Sequence, residues 1–346
     1  MSYRNTYANI NLKNLRYNIK TIIKRYNNYK YYIGVVKAFS YGHYDTIKTI
    51  IDSGCNYLAV SSLDEALEIR KKFDIPILCL GIIDYKYIYL CEKYNIDITV
   101  DNIEYVKKIL NYKVNIHIKI DTGMNRLGLK DKNEFDNIIE LIKNSNLYLK
   151  GIYTHIYNTQ DKKLIEDQVD KFKYIAGNKI YDVDIIHISQ SGTLVNYPKI
   201  PFCNGCRLGL IMYGLIDKNL KSTFSLVSKI ISIKSVRPGE SVGYLGKYKV
   251  EVDSKIGIVP IGYADGVSRK LTGAYIYINN KKYNIIGNIC MDMLMVLIDD
   301  QVKLDDLVYI YKDNSHIKYL SNYADTIPYE LICNVSKRVP RKYINV

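Results

Sequence analysis

The sequence predicts an α/β protein, with an N-terminal (β/α)8 TIM-type barrel over residues 1–220 followed by a mainly antiparallel β domain over residues 221–346. Three observations carry this reading. Eight short apolar runs alternate with amphipathic stretches through the first two thirds of the chain. After about residue 220 the texture changes to short alternating segments broken by turn residues, Pro238-Gly239 among them. The length of 346 residues exceeds the usual size of a single core and suits a large domain with a smaller one.

Taken in order, Tyr7 to Leu12 reads as a strand ahead of the first helix, and residues 1–12 are expected to pair with the second domain. Leu12, Leu15, Ile19, Ile22 and Tyr26 then fall on one face of a helix. Strands are expected at 31–37, 56–61, 76–81, 96–100, 114–120, 148–154, 184–189 and 206–211, with the apolar, β-branched content of strands covered on both faces. Between them, 62–72 opens with a Ser62/Glu65 capping box, 101–110 follows Asp101, and 132–145 and 160–176 carry apolar residues at helical spacing. In the second domain, 241–252, 255–262, 274–287, 293–298 and 306–311 alternate as antiparallel strands do, with a polar turn at Asn279 to Lys282.

Composition excludes several classes. Hydrophobic content of 48% with 24% charged residues fits a globular protein, and no apolar run approaches the roughly 18 residues a membrane span requires. The N-terminus MSYRNTYANINLKN lacks the apolar core of a signal peptide, so a cytoplasmic location and no membrane partner are expected. Of the seven cysteines, only Cys203 and Cys206 form a C-x-x-C pair, and no second pair or histidine follows at zinc-site spacing. Free thiols and no metal are expected. The balance of 49 Lys+Arg against 35 Asp+Glu gives +14, but the lysines are dispersed and no nucleic-acid motif accompanies them. No nucleic-acid partner is expected.

Barrels place their chemistry at the C-terminal ends of their strands. That rule selects Lys37 after the first barrel strand, Arg126 after the fifth, His155 after the sixth, and Gln190 and Ser191 after the seventh. A strand-end lysine commonly snorkels to water, and a partly desolvated one can act as a nucleophile. Gly205, Gly209 and the Ser191-Gly192 pair let main-chain N–H groups approach a phosphate. A lysine at the mouth of a barrel beside such a site suggests pyridoxal phosphate held as a Schiff base.

These residues sit in motifs that resemble a known family. VVKAFSYGHY at 35–44 is similar to the V-V-K-A-N-A-Y-G-H-G signature of alanine racemases. KIDTGMNRLG at 119–128, YTHI at 153–156, RLGLIMYG at 207–214, IGYADG at 261–266, CMDM at 290–293 and RVPR at 338–341 follow in the family's order, so the resemblance spans essentially the whole chain. It implies the barrel-plus-β-domain plan, pyridoxal 5'-phosphate as cofactor, and the interconversion of L- and D-alanine by two bases, supplying D-alanine for cell-wall peptidoglycan. By the same resemblance Lys37 carries the cofactor and is one base, and Tyr244 in SVGYLG is the other. Tyr41, Ser191 and the backbone at Gly209 and Leu210 would hold the phosphate. Arg207 would face the pyridine nitrogen, His155 would lie against the ring and link Arg207 to Tyr244, and Arg126 would meet the phenolic oxygen and the substrate carboxylate. Lys119 matches a lysine that is carbamylated in some members. Tyr244, Tyr263 and Met291 would reach in from the second subunit of a homodimer with composite sites.

Several positions depart from the family pattern. Phe39, Ser40 and Tyr44 replace Asn, Ala and Gly, Gln190-Ser191-Gly192 replaces Asn-Ser-Ala, and Lys337 stands where many members have a tyrosine that touches the phosphate. Gln190 and Lys337 thus occupy cofactor-contacting positions. HISQSGTLVNYP resembles the serine/alanine racemases associated with vancomycin resistance, so serine is the alternative substrate. Related decarboxylases place a carboxylate at the pyridine nitrogen, where this chain offers Arg207. A non-catalytic pyridoxal-phosphate carrier of barrel type would lack residues 221–346.

Overall fold

The computed structural model describes residues 3–345. The chain divides into two compact units. One holds Asn18–Ser40 and Ile47–Met212; the other holds the residues up to Tyr17, the short stretch Tyr41–Thr46, and the chain from Tyr213 onward.

The chain opens with β1 (Tyr7–Asn11) and the helix Leu12–Arg25, whose apolar face Leu15, Ile19 and Ile22 is fully buried. The barrel strands follow: β2 (Tyr31–Val35), β3 (Tyr57–Val60), β4 (Ile77–Cys79), β5 (Asp97–Val100), β6 (Asn115–Lys119), β7 (Tyr148–Tyr153), β8 (Ile185–His187) and β9 (Gly205–Leu208). They form one parallel sheet in the order β8-β7-β6-β5-β4-β3-β2-β9. Its two ends are joined by Asn204 N donating to Ile186 O at 3.2 Å and Arg207 N donating to Ser189 O at 2.9 Å. The alternation read from the sequence is therefore that of a TIM-like barrel, as expected.

Helix starts follow capping chemistry. Asn102, Asp131 and Asp161 each accept the N–H of the residue three positions on, opening Ile103–Ile109, Lys132–Lys143 and Lys162–Ala176. The cap of the first of these is Asn102 and not Asp101, one residue later than expected. Ser62 caps Leu63–Arg70, accepting from Glu65 N at 3.4 Å, but the return half of the capping box is diverted. Glu65 instead accepts from Ser61 N and Ala38 N, at 2.8 and 2.7 Å.

Inside the barrel, two-residue periodicity turns a set of polar groups inward. Asp97 and Thr99 on β5, His117 and Lys119 on β6, and His187 on β8 are all buried, while Ile98, Val100, Ile116 and Ile118 alternate with them.

The second unit continues with β10 (Phe224–Lys229), β11 (Ser232–Val236), β12 (Ser241–Val242), β13 (Tyr248–Lys249), β14 (Ser254–Val259), β15 (Tyr275–Ile278), β16 (Lys281–Ile286), β17 (Leu294–Ile298), β18 (Leu307–Tyr311) and β19 (Arg341–Ile344). Nine of its strands form a sheet in the order β11-β14-β17-β16-β15-β18-β10-β1-β19. β1 pairs antiparallel with β10 and parallel with β19, so the two ends of the sequence lie side by side in one sheet. The stretch 274–287 is a hairpin turning at Asn279 and Asn280, both at positive φ, as a tight two-residue loop demands. The stretch 241–252, expected as a continuous strand, is instead the two-residue pair β12/β13 interrupted at Tyr244 to Gly246, because Gly243 (φ 75°) and Leu245 (φ 62°) break the extended backbone. The helices Asn314–Tyr323 and Pro328–Cys333 pack Ile317, Leu320, Leu331 and Ile332 into the sheet's apolar core.

Candidate active site

Lys37 lies just beyond the end of β2, where the chain enters a rare conformation. Ala38, Phe39, Ser40 and Tyr41 all have φ between 52° and 55°, a left-handed helical turn of four residues that bear side chains. Each such residue costs ~1–2 kcal/mol relative to the right-handed form, so tertiary bonds must hold the turn. One does: Glu65 accepts from Ala38 N, while within the segment Ser40 N donates to Val36 O at 2.8 Å. Neither this turn nor the part Glu65 plays in it has a local signature in the amino-acid order.

Arg207, on β9, is 3% exposed. Its Nη1 donates to His187 Nδ1 at 2.8 Å and makes a close contact with His187 O. Its Nη2 donates to Thr154 O at 2.7 Å and Ile188 O at 3.2 Å, and reaches His155 Nδ1 at 3.5 Å. Among the described residues its Nε–H is the donor left without a partner. The guanidinium also lies 5.4 Å from the ring centroid of Tyr153, and Lys119 approaches that ring at 5.8 Å. Burial lowers the Arg207 pKa, yet an arginine stays charged throughout the working range.

Positive charge is concentrated here. Burial, then Arg126 and Arg207, push Lys119 down to about 8, with Asp121 and Asp101 only partly offsetting them. Burial, then Arg207, Arg126, Lys119 and Lys37, push His155 down to about 3, so its imidazole is neutral at physiological pH. Four cations from the segment after β2, β6, the loop after β6 and β9 therefore act on one half-buried histidine after β7. Arg126 is exposed on a loop that Asp121 shapes by accepting from Gly123 N and Asn125 N at 2.9 and 3.1 Å.

Next to this cluster, Ser191 Oγ accepts from Gly209 N at 3.0 Å and Ile211 N at 3.3 Å. Gln190 accepts from Gly192 N at 2.7 Å, and its amide reaches Ile156 O at 3.5 Å. The Ser191 hydroxyl, held by these two main-chain N–H groups beside a surplus of cations, fits a phosphorylated, anionic group. In the barrel unit the charges of Lys37, Lys119, Arg126 and Arg207 thus act on His155, Gln190 pairs with Arg207, and Ser191 holds the backbone at Gly209.

The other expected residues lie in the β unit. Tyr244 is 70% exposed, and its carbonyl accepts from Asn288 Nδ2 at 2.9 Å. Tyr263 N donates to Cys290 O and Ala264 N to Met291 O, both at 3.0 Å, so the IGYADG and CMDM loops are zipped together. Gly262 makes that possible, since a Cβ there would lie 2.2 Å from Cys290 O. Asp265, fully buried, accepts from both Nη atoms of Arg4 at 2.6 and 2.9 Å and pairs with Arg338 at 3.0 Å. Arg338 also bonds Asp292 at 2.6 Å, a clamp across both loops. Lys337 is exposed in the adjoining turn. Tyr41 packs its ring against Tyr213 at 5.3 Å and Tyr329 at 6.5 Å, and burial raises its hydroxyl pKa.

The seven cysteines are free thiols, and no group of side chains suited to a metal ion occurs among the described residues. Among the described residues no helix is long and apolar enough to cross a membrane.

Comparison with known proteins places this geometry. Residues 10–217 match the alanine racemase N-terminal domain, and residues 223–343 match the alanine racemase C-terminal domain. Alanine racemase 1 of Bacillus subtilis is 34% identical over 365 residues, covering 99% of this chain and 94% of the relative. Alanine racemase 1 of Clostridium acetobutylicum is 36% identical over 372 residues, covering 99% and 96%. Among solved structures, the alanine racemase of Bacillus anthracis with bound L-Ala-P superposes with a TM-score of 0.93 at 28% identity, covering 100% of this chain and 96% of that one. The enzyme from E. faecalis gives 0.91 at 30% identity, covering 99% and 98%. With both domains matched in order and the barrel, the cationic cluster and the tyrosine-bearing loops all present, the chain belongs to the alanine racemase family and is a racemase, an isomerase.

Proposed function

We propose that this racemase interconverts L- and D-alanine, with pyridoxal 5'-phosphate as cofactor and Lys37 and Tyr244 of the partner subunit as its two bases. The observation that carries the reading is the convergence of Lys37, Lys119, Arg126 and Arg207 on a neutral His155, next to N–H groups gathered at Ser191. Such a cluster calls for an anionic occupant, and a phosphorylated aldehyde bearing a phenolic oxygen supplies the matching charges. The names of the relatives favour alanine over serine.

The bound cofactor would supply an electron sink that acidifies the substrate's α C–H bond. Lys37, set by the left-handed turn, would hold it covalently. Ser191 and the backbone at Gly209 and Leu210 would bind its phosphate, assisted by Tyr41, with Gln190 and Lys337 at the rim. Arg126 would orient the substrate carboxylate. Tyr244 of the partner subunit would take the α-proton from the L enantiomer while Lys37 returns one on the opposite face, and the reverse direction exchanges their roles. Arg207 would bond the ring nitrogen without surrendering its proton, so charge stays near the α-carbon and reprotonation there is favoured. His155, being neutral, would accept a hydrogen bond without adding charge.

A homodimer with composite sites is supported by exposure. Tyr244, Leu245, Tyr263 and Met291 are 70%, 92%, 44% and 52% exposed, an apolar group that a second subunit would cover. Lys119 would react with carbon dioxide through its neutral form, which a pKa of about 8 makes available near neutral pH, releasing one amine proton to solvent, and the carbamate would pair with Arg126.

Following α-proton exchange of L-alanine in deuterated water tests the reaction. Borohydride reduction followed by mass mapping tests the cofactor and its anchor together, and label on any lysine but Lys37 overturns the assignment.

A further inference from the structure

The barrel interior holds a second line of titratable groups that the two-base reaction leaves unused. It starts at Arg207 Nη1, 2.8 Å from His187 Nδ1. His187 Nε2 lies 3.1 Å from His117 Nδ1, and His117 Nε2 lies 3.3 Å from Tyr57 Oη. Tyr57 Oη donates to Asp97 Oδ2 in a close contact. Asp97 also accepts from Asn115 Nδ2 at 2.7 Å and pairs with Lys150 at 3.2 Å. Tyr57, Asp97, His117 and His187 are all buried.

The ends of this line fix the direction of every bond in it. A guanidinium can only donate, so His187 Nδ1 must accept and the ring hydrogen must sit on Nε2. That hydrogen makes His117 Nδ1 an acceptor in turn and leaves His117 Nε2 as the donor to Tyr57. The carboxylate at the far end can only accept. Burial and Arg207 hold the His187 pKa well below its ordinary value, which keeps that ring neutral. The fold makes room for the arrangement: Gly151 on β7 lies opposite His117, and a Cβ there would fall 2.4 Å from His117 Nδ1. Tyr153 stacks on His187 at 4.5 Å and 10°, holding the plane of the ring.

We propose that Asp97, Tyr57, His117 and His187 form a positioning relay that locks both imidazoles as Nε2–H tautomers and fixes the guanidinium of Arg207, leaving its Nε–H for a ligand. Asp97, on the first residue of β5, thereby orients an arginine it does not touch. The last link, from that Nε–H to the cofactor ring, rests on the function proposed above; the relay itself does not.

Two-bond ¹H–¹⁵N correlation spectra of the cofactor-free protein, labelled at histidine, read the tautomers directly. The expected result is Nε2–H at both His117 and His187; an Nδ1–H or charged form at His187 would overturn the relay. Asp97→Asn and His117→Gln should mix the tautomers, weaken pyridoxal-phosphate binding several-fold, and lower kcat for L-alanine about tenfold with KM within about twofold, as removal of supporting partners does elsewhere. Gly151→Ala, which crowds His117 without deleting a group, should act in the same direction. Wild-type tautomers and cofactor affinity in all three variants would sink the proposal. Expected tautomers in a protein that fails to racemise any amino acid would retain the relay and reject the racemisation chemistry.

Discussion

Arg207 is 3% exposed and held through both terminal nitrogens, whereas Tyr244 is 70% exposed and its side chain has no hydrogen bond among the described residues. The two residues are assigned to one reaction, yet their surroundings are built in opposite ways. In the barrel, polar groups are buried, crowded by like charge and fixed by carbonyls and neutral imidazoles, so their protonation states are set before any ligand arrives. In the β unit, the loops are braced from beneath by Asp265, Arg4 and Arg338, while Tyr244, Tyr263 and Met291 stand at the surface. Groups that must keep one charge state are over-determined within the chain, and the groups we propose to face a second subunit are stiffened at their base and left uncovered.

The sharpest way to break the comparison is to remove one member from each side. Lys37→Ala should abolish racemisation, a fall greater than about 10³-fold, together with the borohydride-fixed label. Tyr244→Phe should lower the rate from L-alanine by about 10²–10⁴-fold while leaving that label intact. Mixing the two inactive proteins under conditions of subunit exchange should restore part of the activity, and a lack of recovery would place both bases in one chain.

A smaller effect tests the bracing. Asp265→Ala removes a buried carboxylate that serves two arginines, and urea denaturation should show a loss of about 2–3 kcal/mol, below the 3–5 kcal/mol of a wholly buried pair because Arg4 keeps some contact with water. An unchanged midpoint would show that the clamp is not what holds the IGYADG and CMDM loops.

The barrel's charge crowding predicts a pH signature. The folded-state pKa of His155, about 3, lies below its ordinary value of 6.5, so between these values the unfolded chain binds a proton that the folded chain refuses. Stability should therefore fall as pH drops from about 6.5 towards 3, and His155→Asn should flatten that slope. For Lys119 the window lies between about 8 and 10.5: stability should rise with pH across it, and Lys119→Met should remove the rise. The smallest expected difference concerns substrate. A methyl pocket rejects an added hydroxyl by a factor of order 10² or less, so L-serine should be racemised measurably beside L-alanine. A far larger steady-state preference would confine the enzyme to alanine.

Much of this was legible in the amino-acid order. Strand periodicity placed all eight barrel strands to within a few residues, because β-branched runs between capped helices are local signals. Ordered motifs picked out Lys37, Arg126, His155, Ser191 and Arg207; in the barrel Arg207 reaches His155 at 3.5 Å, and the charges of Lys37 and Arg126 act on the same imidazole. A signal for the relay is also present: Asp97 with Thr99, and His117 with Lys119, are polar pairs two residues apart in strands that should face a core. Other features were decided only in three dimensions. The left-handed turn at 38–41 contains no glycine and persists because Glu65, 27 residues further along the chain, bonds Ala38 N. The parallel pairing of Ala8 with Arg341 joins the ends of the chain, which no local pattern can encode. Local order sets period, caps and turn chemistry; positive-φ backbone, shared hydrogens between imidazoles and pairings across hundreds of residues are stabilised only by groups that folding brings near.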